Sequence, residues 1–208
     1  MRKESGFTLI EMVVVLAVVA ILAAILTPTI AKNINDAKLA RANNEVQVIA
    51  AAIGSFYKDL GRWPTADGTD LTDSVQLLYG PGDTPAIQGG GVADEQYWLN
   101  AGGWGAALLD TFTNQLVEND PADGATDYPN DLTVPRPELR WTGPYITEIK
   151  ADPWGCHYSC NIWYTYNTTA GNYVGVWSAG PNRTSNTDAI QVSTAVVVGG
   201  DDILFRLK

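Results

Sequence analysis

Gly6-Phe7-Thr8-Leu9-Ile10-Glu11 opens the most apolar stretch of the chain, and its one carboxylate decides how the rest is read. Residues 7–26 make a run of 20 in which Glu11 alone is charged. As an α-helix, such a run crosses a hydrocarbon core roughly 30 Å thick. A carboxylate held in lipid costs on the order of 2.5–3.5 kcal/mol even on the lenient insertion scale. An intramembrane acid is therefore read as functional, with a partner to be named. If the chain is cut between Gly6 and Phe7, the natural partner is the new α-amine.

The residues ahead of the run suit that cut. Met1-Arg2-Lys3-Glu4-Ser5-Gly6 carries two bases and one acid, an excess that holds a leader on the cytoplasmic side. An ordinary secretory signal also starts basic, but its cleavage site follows the apolar core after small residues. Residues 29–31 match that poorly, and Glu11 sits badly in such a core. A plain membrane anchor is the other simple alternative.

Leader, Gly/Phe junction, acid offset and apolar run together resemble the N-terminal signal of type IV pilins and the related pseudopilins. The resemblance implies cleavage after Gly6 by a membrane prepilin peptidase and N-methylation of Phe7. It also implies that Glu11, the fifth residue after the cut, pairs with the terminal amine of a neighbouring subunit and sets register. The physics agrees, because a buried acid is relieved of its desolvation penalty only when a buried ammonium docks beside it. Thr27-Pro28-Thr29 follows the run. Pro28 lacks a donor and crowds the preceding turn, so it is expected to kink or locally melt the helix. Pilins of this family carry a proline there, which implies unwinding in the assembled filament.

Beyond Pro28 the pattern changes. Val46, Ile49, Ile53, Phe56 and Leu60 recur at steps of three and four among polar residues, the signature of an amphipathic helix with one buried stripe. Gly61 ends it. A helix continuous over residues 8–59 spans about 78 Å. Gly61-Arg62-Trp63-Pro64-Thr65 resembles the Gly-Arg-Tyr-Pro-Thr segment of major pseudopilins. Residues 66–140 are rich in Gly, Asp and Pro, with short helices expected at 74–79 and 104–119. Such a long segment is read as a partly ordered insertion. Its apolar patches, Tyr97-Trp98-Leu99 and 104–109, suggest that it folds onto something.

The C-terminal third reads as strands. Asp152-Pro153-Trp154-Gly155 is a turn signal. Residues 158–166 and 172–178 are aromatic and β-branched, with a turn at 168–171. Residues 195–198 and 203–207 form a further expected pair around Gly199-Gly200-Asp201-Asp202. The expected fold is α+β: a long N-terminal helical spine packed on a C-terminal antiparallel sheet. The organisation is leader 1–6, transmembrane and assembly helix 7–28, amphipathic head helix 29–60, variable insertion 61–143 and β-sheet region 144–208.

The chain has 208 residues and a formal net charge of −10, and loss of the leader removes one further positive charge. Such an acidic surface argues against nonspecific nucleic-acid or anionic-lipid binding. Seven Trp and nine Tyr suit core and subunit packing, with aromatic ligand stacking as the minority reading. Cys156 and Cys160 are the only cysteines. In an oxidising compartment a bridge between them would staple one local turn. A metal site using His157 between them is the alternative, although a fourth ligand is not evident.

Trp177-Ser178-Ala179-Gly180-Pro181-Asn182, with the later Gly199-Gly200-Asp201-Asp202-Ile203, resembles the calcium loop of major pseudopilins. There a Ser-x-Gly-x-Asp-Gly turn and a closing acidic element bind the ion. The resemblance implies calcium at Asn182, Asp201 and Asp202. Asn182 replaces the first acid, Arg183 stands where glycine is usual, and residues 184–198 separate the two halves, with Asp188 as a spare carboxylate. The alternative is an exposed acidic turn. Asp152-Pro153-Trp154-Gly155 also matches the pseudopilin head.

The sole histidine, His157, would have to carry any histidine-based catalysis, and no nucleophile elbow or phosphate loop is present. Paired-acid chemistry is the residual enzymatic alternative. The resulting expectation is a non-enzymatic filament subunit, closest to the major pseudopilin of type II secretion. The family implies a homo-oligomeric filament, an inner-membrane assembly platform, and minor pilins or pseudopilins as partners. It implies an inner-membrane subunit with a periplasmic head before assembly. The runner-up is a surface pilin for adhesion, motility or another extracellular role, with Trp98 and Trp104 in a ligand-binding insertion.

Overall fold

The computed structural model describes residues 6–69, 71, 73–87, 108–130, 139–165, 173–187 and 196–208. The chain divides into two compact units, Met1–Ala40 and Arg41–Lys208. One helix, α1 (Leu9–Leu60), runs without a break through 52 residues. It is long and apolar enough to cross a membrane. In the first unit its apolar side chains lie open on every side, from Leu9 through Ile34. The expected local melting at Pro28 is absent from this single chain, which is helical on both sides of the proline. Thr27 Oγ1 donates to the Ala23 carbonyl at 2.7 Å, one turn back.

In the second unit the helix turns one-sided. All five expected stripe residues, Val46, Ile49, Ile53, Phe56 and Leu60, are buried. Each large one stabilises the fold by about 1.5–3 kcal/mol relative to exposure. Phe56 meets the rings of Tyr128 and Tyr145 edge-on, at 4.9 and 5.4 Å between centroids. Arg41 pairs with Glu45 at 2.9 Å, and Tyr158 donates its hydroxyl to the same carboxylate at 2.5 Å. Gly61, at φ +67°, closes the helix in the left-handed conformation that glycine adopts without strain.

Among the described residues seven short strands follow: β1 (Val75–Tyr79), β2 (Ala86–Ile87), β3 (Leu108–Thr111), β4 (Ser159–Cys160), β5 (Gly175–Ser178), β6 (Thr184–Ser185) and β7 (Ile203–Arg206). Five build one sheet in the order β3-β1-β4-β5-β7, and β2 and β6 form a separate ribbon. Every pairing in the large sheet is antiparallel except β1 with β3. The fold is α+β as expected, but the sheet is mixed, and two of its strands come from the segment read as an insertion. Leu77 and Trp177 form a small core with Leu109 and Leu204 against them.

Several local expectations change. Within the expected helix 74–79, Val75–Tyr79 form strand β1. Six residues are too few for a stable helical turn in isolation, and here they gain partners on both sides. Within 104–119, β3 precedes a short helical turn, and residues 104–107 lie outside the described residues. Within 158–166, only Ser159–Cys160 is strand, and a 3₁₀ turn, Ile162–Thr165, follows. Ile203–Arg206 pairs with β5 and not with the preceding segment, whose residues 196–198 carry no strand. Tyr97, Trp98, Leu99, Trp104, Asp188 and the turn at 168–171 lie outside the described residues.

The insertion is organised by a buried carboxylate. Asp110 accepts from Thr111 N and Asn114 Nδ2 on one oxygen, at 2.7 and 2.8 Å. It accepts from Gln115 Nε2 and Ala122 N on the other, at 2.6 and 2.8 Å. Gln115 in turn donates to the Ala66 carbonyl and accepts from the Tyr128 hydroxyl. Four donors compensate a charge that burial would otherwise penalise.

Candidate functional site

At the N-terminus the backbone is irregular over residues 6–8, and helix begins at Leu9. Gly6 and Phe7 are exposed, Phe7 by 81%. The Gly6–Phe7 bond is open and non-helical. Immediately after it comes a feature that the reading of Glu11 as a residue awaiting a partner missed. Thr8 donates both its N–H and its Oγ–H to Glu11 Oε2, at 2.8 and 2.7 Å. Glu11 N returns a long bond to Thr8 Oγ1 at 3.4 Å. This is a capping box, legible in the sequence as Thr-x-x-Glu ahead of an apolar run. Phe7, Ile10, Val14 and Val15 line the shallow depression around the carboxylate. Both capping bonds fall on Oε2, which leaves Oε1 open to a further donor among the described residues.

At the other end of the chain, Ser178 closes β5 and Gly180 turns the backbone at φ +66°. A Cβ on Gly180 would stand 2.2 Å from the Asp201 carbonyl oxygen, so the turn and the acidic loop touch backbone to backbone. The structure joins Asn182 to Asp201, while the Asp202 carboxylate turns to residues 186 and 187. Asn182 N donates to Asp201 Oδ2 at 3.1 Å. Asp202 Oδ2 accepts from Asn186 N and Thr187 N at 2.8 and 2.6 Å. Asn182 Oδ1, however, is occupied by Thr184 N at 2.6 Å. Burial holds the Asp202 carboxyl above the usual carboxylate range.

Three buried oxygens here lack a hydrogen-bond partner: Asp201 Oδ1, Asp202 Oδ1 and Ser185 Oγ. Each orphaned atom of this kind costs about 1–3 kcal/mol. Carboxylate and hydroxyl oxygens are hard donors of the type calcium takes, although three fall short of the six to eight that the ion surrounds itself with. Among the described residues, no three His, Cys, Asp or Glu side chains gather around one point. A cation here would therefore rest on two acids plus neutral oxygens. The same observation leaves the Cys156–His157–Cys160 metal alternative without a ligand set.

The expected disulfide is not formed: Cys156 and Cys160 are both buried free thiols. The reason is the path of the backbone. Cys156 bridges Asp83, while Ser159 and Cys160 pair with Tyr79 and Leu78. Four residues in an extended path span about 13 Å, well beyond the roughly 4.4–6.8 Å that a disulfide allows. Burial raises both thiols above their usual range. His157, between them, lies 5.7 Å from the Tyr79 ring, and burial lowers it to about 4. It is a neutral packed imidazole rather than an accessible base.

Sequence reasoning took Asp152 only as part of a turn. The structure makes it a clip. Its Oδ1 accepts from Trp154 N and Cys156 N, and its Oδ2 from the Ser178 hydroxyl.

Residues 1–27 match the family model for the prokaryotic N-terminal methylation motif. The chain is 38% identical over 64 residues to type II secretion system core protein G of Pseudomonas aeruginosa, covering 31% of this chain and 45% of that protein. It is 33% identical over 67 residues to core protein G of Vibrio cholerae, covering 32% and 46%. It is 36% identical over 63 residues to fimbrial protein EcpC of Eikenella corrodens, covering 30% and 41%. The chain thus spans a little under half the length of these relatives. No solved structure matches it.

Proposed function

We propose that this protein is a non-enzymatic structural subunit of a helical type IV pilus-like filament, most closely the pseudopilus of a type II secretion system that drives protein export. The observation that carries this reading is the methylation motif joined to an exposed apolar helix with a single acid, Glu11. A prepilin peptidase cuts after Gly6 and methylates Phe7. The apolar half of α1 holds the subunit in the inner membrane, with the head on the periplasmic side. An assembly platform then extracts it into a filament with minor pseudopilins. During docking the Phe7 amine of a neighbour approaches Glu11, and unwinding near Pro28 accompanies assembly.

Calcium belongs to the same reading. Asp201 and Asp202 would hold it with neutral oxygens of the Asn182 loop. The ion supplies positive charge against two carboxylates and fixes the loop before β7.

The fimbrial relative supports a second reading, a surface pilin for adhesion, motility or another extracellular role. One experiment separates the two: electron cryo-microscopy of material sheared from cells at native expression, with mass spectrometry of the subunit. Processed subunit beginning at methylated Phe7 but held in the envelope supports the secretion pseudopilus. Long surface filaments of the same processed subunit support the surface pilin. A mature chain still beginning at Met1 removes both.

A further inference from the structure

Residues 142–151 return along α1 in the opposite direction. The Thr142 hydroxyl donates to Asp59 Oδ2, the Tyr145 ring meets Phe56 at 5.4 Å, and Arg41 Nη2 donates to the Ala151 carbonyl at 3.5 Å. Between these two rails lies a groove of about 330 Å³. Its floor is apolar, with Val48 and Ile49 from α1 and Ile146 and Ile149 from the returning segment. Glu45 and Glu148 stand in its walls. Val48 is 53% exposed, so the floor is open to solvent. An apolar groove that runs along a helix is a form that accepts a second helix, through side chains spaced at i and i+4.

The chain itself holds such a helix. Ile30, Ile34 and Lys38 recur at steps of four, so they share one face of α1. Both isoleucines are more than half exposed. Charge makes the same match. Residues 41–208 hold nine Lys and Arg against twenty Asp and Glu, a net of −11. Residues 30–40 hold Lys32 and Lys38 against Asp36, a net of +1. Of the two wall acids, Glu45 is already held by Arg41 and Tyr158. Glu148 Oε2 meets Lys150 Nζ at 3.0 Å, but the two side chains are 65% and 63% exposed. A pair so exposed is weak, and its carboxylate has room for a second ammonium.

We infer that the groove between α1 and residues 146–150 seats the Ile30–Ile34–Lys38 face of a second copy of this chain. The two isoleucines cover the apolar floor, and the second copy's Lys38 meets Glu148. This rests on the filament reading above and deepens it by naming two surfaces that meet. The seat belongs to the unit Arg41–Lys208 and the inserted face to the unit Met1–Ala40, so the contact joins two different surfaces of the same chain. A contact of that kind leaves one seat and one face free at the ends of every assembly. It therefore propagates along an open helical array instead of closing as a two-fold dimer.

The test exchanges the two charges in the full chain, expressed in its own cells. Glu148→Lys and Lys38→Glu should each lower the yield of sheared filaments at least several-fold relative to membrane-held subunit, because each sets like charges against one another. The double variant should recover most of the yield, which a purely structural role for either residue would not produce. Wild-type yield from either single variant, or a double variant no better than the singles, overturns the seat. Photocrosslinking reads the contact directly, and it decides if a charge variant fails to fold. A benzophenone side chain in place of Val48 should join a second copy within residues 30–38 of assembled filaments. Crosslinks elsewhere on the second copy, or to a different protein, overturn the seat while leaving the filament reading intact. Absence of filaments from wild type removes the filament reading itself and the seat with it.

Discussion

The Ser178 hydroxyl donates to Asp152 Oδ2 at 2.6 Å, joining the turn before β4 to the end of β5. The same hydroxyl accepts from Gly180 N at 3.1 Å, so one serine links the Asp152 clip to the turn that faces Asp201. Asp152 also holds Trp154 N and Cys156 N at 2.9 and 2.8 Å, and the residue is buried. Replacing it with alanine strands three donors inside the head. The expected cost of Asp152→Ala is about 2–4 kcal/mol of unfolding free energy. Ser178→Ala removes two bonds and should cost about 1–2 kcal/mol. Denaturant unfolding of both variants checks the order, and an Asp152→Ala cost no larger than that of Ser178→Ala would refute the clip.

His157 makes stability depend on pH with a definite sign. Burial lowers it from 6.5 to about 4, so the folded state binds its proton less readily than the unfolded state. Its contribution is whole above about pH 6.5 and is lost as pH falls towards 4. The loss reaches at most about 3 kcal/mol. Asp110 and Asp202 act in the opposite sense, because burial raises both and the folded state takes up their protons first. The clean measurement is therefore a difference: His157→Phe against wild type across pH 4–7. The variant should lose less stability than wild type on acidification, and parallel curves would contradict the assignment.

The buried stripe of α1 was legible because Val46, Ile49, Ile53, Phe56 and Leu60 repeat at the helical period, a local property. Strand β1 was not, because Val75-Gln76-Leu77-Leu78-Tyr79 is too short to show its period, and partners 32 or more residues away in sequence decide its state. The Cys156–Cys160 spacing misled for the same reason: Cys160 pairs with Leu78 of β1 and Cys156 with Asp83, distant partners that draw the two cysteines apart. The approach of Asn182 to Asp201 was legible through their motif. Ser185 was not, since a lone serine in a polar loop carries no signal until burial strips it of partners. The Thr8–Glu11 capping box was present in the sequence, but the membrane argument for Glu11 drew the reading away from it.

If calcium occupies the Asp201–Asp202 loop, chelation must destabilise the head by mass action. A cation at 100 times its dissociation constant stabilises by about 2.7 kcal/mol, or roughly 5–10 °C in melting temperature for a domain of this size. Excess EGTA should lower the melting temperature by that much, and added calcium should restore it. Asp202→Asn should abolish the response, because it removes half of the carboxylate charge in the set. A melting curve unchanged by EGTA excludes the site.

Glu11 has a partner within its own chain, Thr8, and this separates two roles that one mutation would confuse. Thr8→Ala removes the cap and keeps the carboxylate, whereas Glu11→Ala removes both. Loss of a cap costs about 1 kcal/mol of helix stability, too little to prevent membrane insertion. Both variants should therefore insert and be cleaved after Gly6. If the carboxylate meets the neighbouring Phe7 amine during docking, Glu11→Ala should lose most filament yield, and Thr8→Ala should retain more. The measurement is sheared-filament yield against membrane-held subunit at matched expression. Equal deficits in the two variants would reduce Glu11 to a helix cap, and normal yield from Glu11→Ala would remove its role in register altogether.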